Sequence, residues 1–163
     1  MKIGVIVFLL ALAFVAQTLP LGQLYAHLHP NFVALVILYW ALSSANGLSY
    51  FLVWTIGILQ DLLEGTVLGS QGIALVVMVF LLYAWIQRVR RLPSWEQLFF
   101  IFVLLLVERL TAWLWQAWTG SLLWENSLLM GPALGATLWP LLVFLFEGIE
   151  RAWPGKKRGV SKG

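Results

Sequence analysis

Residues 94–118 read SWEQLFFIFVLLLVERLTAWLWQAW, and the run from Leu98 to Val107 contains no polar side chain. In lipid the backbone must satisfy its own hydrogen bonds, so a spanning chain forms helices or a closed barrel. A barrel strand alternates polar and apolar residues, and this run does not. A helix of this composition is long enough to cross a bilayer, which takes about 20 apolar residues. The same continuous pattern recurs in IGVIVFLLALAFVA at 3–16, FVALVILYWAL at 32–42, GIALVVMVFLLYAWI at 72–86 and ALGATLWPLLVFLF at 133–146.

The rest of the composition agrees. Of 163 residues 61% are apolar and 10% are charged, against about 25% charged in a soluble domain. Mean hydropathy is +0.90. Too little polar surface exists to clothe so much apolar volume, so the sequence predicts an integral membrane protein. Cysteine is absent, which excludes a disulfide framework, a thiol nucleophile and thiolate metal sites. No Walker loop, dinucleotide fingerprint, H-E-x-x-H or G-x-S-x-G occurs. No catalytic residue, cofactor or metal ligand is assigned, and no nucleic-acid partner.

The sequence predicts six transmembrane helices. The first covers Ile3 to Leu19. The second begins after Pro30-Asn31 and reaches Ser44. The third, weaker one covers Tyr50 to Leu63, with Asn46-Gly47 as the preceding turn. The fourth runs from Ser70 to Gln87, the fifth from Ser94 to Trp118, and the sixth from Ser127 to Gly148. Ala11 and Ala13 match a signal-peptidase pattern, but the apolar run continues past them and an uncleaved first helix is expected. Residues 1–150 form the six-span domain and 151–163 a basic cytoplasmic tail that touches anionic membrane lipids.

Charge fixes the topology. Nine of the ten basic residues fall in three places: Lys2, the Arg88–Arg91 cluster, and Arg151 to Lys162. An even number of spans separates each place from the next. Residues 20–30, 64–69 and 119–126 hold no Lys or Arg. The positive-inside rule then puts both termini in the cytoplasm.

Some polar residues fall inside apolar segments. Glu108 and Arg109 interrupt the fifth span, where a charge costs about 2.5–3.5 kcal/mol on insertion scales. Their side chains diverge by roughly 100° on a helix, so each is expected to find its own partner in the bundle or at a subunit contact. Asp61 and Glu64 form a small polar face with Gln60. Acid–base work or a metal would also use two carboxylates, but a bridge to another helix or a partner is the simpler reading. No third carboxylate is evident nearby, and Glu125 is only a distant candidate. Gly65 and Gly69 bracket a turn needing permissive backbone. Gly131 and Gly135 can support close helix contact, and Pro140 should kink the last span. Trp95, Trp118, Trp124 and Trp153 suit an interfacial belt. Trp113, Trp115 and Trp139 lie deeper, against lipid or around a cavity.

Specific strings then occur in a specific order. His29-Pro30-Asn31-Phe32 leads into LVILYWAL at 35–42. Gln60-Asp61-Leu62-Leu63-Glu64-Gly65-Thr66-Val67-Leu68-Gly69 follows, then Glu108 within span five, then Leu138-Trp139-Pro140. This order resembles the rod shape-determining protein MreD family over residues 3–150. Two positions depart from it: His29 stands where Arg is frequent, and Glu64 where a small residue is common. The resemblance implies a non-enzymatic component of the bacterial cytoplasmic (inner) membrane that helps organise side-wall peptidoglycan synthesis during elongation. Its partners would be an MreC-like bitopic protein, an MreB-like actin filament and the elongation peptidoglycan synthases. The family is also similar to the six-helix substrate-binding subunit of vitamin transporters, which implies a compact bundle. Pro30, Asn31, Asp61, Gly65, Gly69, Glu108, Trp139 and Pro140 are the residues it marks for architecture or partner contact, beside Glu64 and Arg109 from the charge argument. Alanine at Asp61 or Glu108 is expected to weaken complex recovery with insertion intact. The rival reading is the substrate-binding membrane subunit of a small-molecule (vitamin-type) transporter, with a cavity near Glu108 and the deep tryptophans and an ATPase partner.

Overall fold

The computed structural model describes residues 3–18, 30–44, 47–120 and 129–152. Expectations on Lys2, His27, His29, Asn46, Trp124, Glu125, Trp153 and the tail beyond Ala152 lie outside the described residues. The described chain is all-helical: α1 Ile3–Thr18, α2 Phe32–Ser43, α3 Tyr50–Glu64, α4 Ser70–Val89, α5 Ser94–Trp118 and α6 Met130–Ala152. The apolar runs set these helices and local breakers end them. Asn31 caps α2, its Oδ1 accepting from the Ala34 amide at 3.0 Å. Gly65 ends α3 in the left-handed region at φ +67, and Gly69 opens α4 at φ +90. Residues with a Cβ resist that conformation. Pro93 precedes α5 in extended backbone, where its missing N–H costs no helical hydrogen bond.

Two helices are long and apolar enough to cross a membrane, Ser70–Val89 and Trp95–Trp118. Shorter apolar helical stretches are Ile6–Gln17, Phe32–Ser43 and Met130–Phe146. The helix α2 has 12 residues, about 18 Å of rise, and it is the centre of the bundle. Every residue from Val33 to Tyr39 is buried. It packs against α1, α4 and α6, while α3, α4, α5 and α6 pack each on the next. A short helix enclosed by protein needs no polar face, which explains why apolar residues surround its axis.

The pair α3–α4 approaches most closely at Gly57 and Gly72. A Cβ on Gly57 would lie 2.4 Å from Gly72 Cα. Only glycine permits such backbone contact. A Cβ on Gly135 of α6 would meet Leu105 Cδ1 at 2.8 Å and lie 3.7 Å from Pro30 Cβ. Gly135 thus brings α6 onto α5 and onto the start of α2, as its small-residue spacing suggested. Helix α6 continues through Pro140, which faces outward, whereas Trp139 is 3% exposed within the core. At the other end of α2, the Leu48 amide donates to the Tyr83 hydroxyl and Arg90 Nη2 donates to the Ser44 carbonyl at 2.9 Å.

Candidate functional site: a polar network at one end of the bundle

Asp61 is fully buried one turn before the end of α3. Its carboxylate points at the start of α4. Oδ2 accepts from the Gly69 amide at 2.8 Å. Oδ1 accepts from Thr66 Oγ1 and Ser70 Oγ, both at 2.8 Å, and from the Gln71 amide at 3.1 Å. Gly69 is the cap residue of α4 yet has no side chain to satisfy the first amides of that helix, so Asp61 does so from the neighbouring helix. A carboxylate here also meets the positive end of the α4 dipole. The resulting unit is self-contained: one buried charge with four donors and a helix end, which is how such a charge is tolerated.

A second layer joins on the sequence-distant elements. Asn31 Nδ2 donates to Glu108 Oε1 at 2.9 Å and lies 3.4 Å from Gln71 Oε1. Gln60, fully buried, donates from Nε2 to Glu64 Oε1 at 2.8 Å and to Asn31 Oδ1 at 3.3 Å. Gln17 of α1 reaches Glu64 as well. Glu108 is 2% exposed, and the charge of Arg109 acts on both Glu64 and Glu108. Arg109 lines the same small cavity as Glu108 and Asn31.

The ends of five helices meet here in addition to the stretch of α5 that carries Glu108. A small cavity of about 10 Å³ lies between Asn31, Leu105, Glu108, Arg109, Gly131 and Pro132. That is room for about one water; a vitamin-sized ligand needs a site of at least about 300 Å³. No tryptophan lines it. Among the described residues no group of three His, Asp or Glu is placed to hold a metal ion.

The sequence-marked residues thus divide. Asn31, Asp61, Glu64, Glu108 and Arg109 come together, and Gly65 and Gly69 shape the turn that delivers Asp61 to α4. Pro30 is buried beside Gly135. Trp139 belongs to the core and Pro140 to the outer surface of α6, apart from the network. Sequence reasoning missed Ser70 and Gln71 as partners of Asp61, and Gly57 as a contact point. The available signal was the Gly69-Ser70 opening of α4, which offers helix amides and no carboxylate of its own.

Fold and site together define a class: a helical membrane protein whose buried polar side chains bridge its helices. The family model described as rod shape-determining protein MreD matches residues 1–149. The chain belongs to the MreD family, the membrane components of rod-shape determination. It is similar to the rod shape-determining protein MreD of Haemophilus influenzae, at 25% identity over 140 residues covering 86% of each chain. No solved structure matches it.

Proposed function

We propose that this protein is a non-enzymatic scaffold of the cell-elongation machinery, with six spans in the bacterial inner membrane and both termini in the cytoplasm. It organises side-wall peptidoglycan synthesis together with an MreC-like bitopic protein, an MreB-like filament and the elongation synthases. The observation that carries this reading is the fate of the buried charges. Asp61 is consumed by the α4 terminus and Glu108 accepts from Asn31, while the exposed Glu64 beside them accepts from Gln60. Polar groups arranged in this way hold helices in register and leave partner contact to the lipid-facing sides. Those sides are large: Phe8, Phe51, Leu62, Phe99, Leu141 and Phe144 all expose more than half their surface.

The six-span topology is supported by the charge pattern and by the helix ends, since the C-terminal parts of α1, α3 and α5 meet the N-terminal parts of α2, α4 and α6. In this arrangement the Asp61–Glu108 network faces the periplasm and Arg88–Arg91 the cytoplasm. Residues 1–150 form the membrane domain, and the remaining basic residues form the cytoplasmic tail. The test is depletion in the native bacterium with fluorescent labelling of new wall. Loss of rod width and of dispersed side-wall insertion is the expected result. Normal rods with normal insertion would refute the scaffold reading.

A further inference from the structure

The Arg88–Arg91 end of α4 carries a second constellation, which the polar network does not use. Arg90 is committed to the Ser44 carbonyl. Arg88 and Arg91 are exposed. Arg88 lies in the last turn of α4 and Arg91 in the turn just beyond it, the Arg91 amide donating to the Arg88 carbonyl at 3.0 Å. Two clefts of about 330 Å³ each adjoin there. One is lined by Gln87, Arg88, Arg91 and Leu92. The other follows the helix from Tyr83 to Arg88 and shares Gln87 and Arg88 with the first. The Arg88 guanidinium lies 5.8 Å from the centre of the Trp85 ring, and Trp85 is 50% exposed.

We propose that these clefts bind an anionic phospholipid, with its phosphate between Arg88 and Arg91 and its glycerol and acyl-chain root along Tyr83, Trp85 and Ile86. The guanidinium fork matches phosphate geometry and is weakly hydrated. The Trp85 ring restricts Arg88, so less freedom is lost when a phosphate arrives. The second cleft extends about 7.5 Å along the helix axis, beneath the charged rim and beside apolar side chains. Inorganic phosphate would leave that part empty; an amphiphile fills both parts. Trp and Tyr at this level suit the headgroup zone of a bilayer. A pure topology signal requires basic residues here but requires neither the ring beneath Arg88 nor the cleft. The proposal rests on the membrane reading and is independent of the elongation partners.

The experiment uses the full chain purified in mild detergent and equilibrated with equal amounts of phosphatidylglycerol and phosphatidylcholine. Native mass spectrometry reads the ratio of the two lipids retained. R88Q/R91Q should lower that ratio about thirtyfold, from about 1 kcal/mol for each basic residue at an anionic surface. K156Q/K157Q removes the same charge from the C-terminal tail, which touches anionic lipid without a cleft in this proposal, and should lower the ratio clearly less than R88Q/R91Q does. R88K/R91K should retain part of the preference. Equal losses in the two glutamine variants, or no loss in R88Q/R91Q, would overturn the site. If R88Q/R91Q does not fold, W85A keeps every charge and should lower the ratio about threefold; an unchanged ratio would overturn the site. Loss of the preference in millimolar inorganic phosphate would overturn the lipid assignment in favour of a free anion.

Discussion

Replacing Asp61 with alanine removes the acceptor for two backbone amides, Gly69 and Gln71, and for the hydroxyls of Thr66 and Ser70. Ser70 is fully buried and Gln71 is 4% exposed, so water does not readily replace the carboxylate. A hydroxyl can rotate toward another acceptor, but an amide cannot. Leaving a buried donor unsatisfied costs about 1–3 kcal/mol, and the helix terminus loses an anion worth up to about 2 kcal/mol in partly buried settings. For two amides and the helix end the sum is about 2–8 kcal/mol. Asp61→Asn keeps one acceptor oxygen and should cost about 1–3 kcal/mol. The assay is unfolding of purified protein by SDS titration in mixed micelles, with protease accessibility in membranes as the insertion control. Wild type should be most stable, then Asp61→Asn, then Asp61→Ala. Alanine there is expected to weaken complex recovery with insertion intact, and this geometry adds a cost to the fold, since Asp61 bridges α3 to α4. An Asp61→Ala protein within about 0.5 kcal/mol of wild type, the ordinary range for a surface change, would refute the capping argument.

Three further comparisons test the packing. Gly57→Ala should separate α3 from α4 at a cost of about 1–3 kcal/mol or more, because its Cβ would meet the Gly72 backbone; Gly148→Ala, in open space on α6, should be neutral or stabilising by up to about 1 kcal/mol in the same titration. Glu108→Gln keeps an acceptor for Asn31 and should cost about 1 kcal/mol, whereas Glu108→Leu strands Asn31 and removes a counter-charge from Arg109, costing about 3 kcal/mol; equal effects of the two would argue against the network. Trp139→Ala empties a core position at about 3–5 kcal/mol, while Pro140→Ala on the outer surface should leave the protein as stable as wild type or more so, and unfolding curves for the pair would show whether the two neighbours are as unlike as their burial implies.

The class of this protein and the limits of its helices were legible in the chain because both depend on local chemistry. Continuous apolar runs cannot be strands of a membrane barrel, and glycine, proline and asparagine end helices where they stand. The expected fifth segment, Ser94 to Trp118, coincides with α5, and the others agree within a few residues among the described ones. The parity of the basic clusters suggested the alternating direction that brings the observed helix ends together.

Which faces meet was not legible. In a soluble protein the apolar stripe marks the buried side of a helix. Here lipid is as apolar as the core, so α1 and α2 carry no marked face, although α2 is enclosed and α1 exposes Val7, Phe8, Leu12 and Val15. The sequence therefore determined that Asp61 and Glu108 needed partners, because an unpaired charge in lipid is expensive. Only the tertiary structure decided what those partners are: the α4 terminus for Asp61, and Asn31, 77 residues away, for Glu108. The physical reason is that helix-to-helix contact in an apolar medium is selected by close backbone approach, as at Gly57 and Gly72, and by polar satisfaction, both of which depend on three-dimensional register.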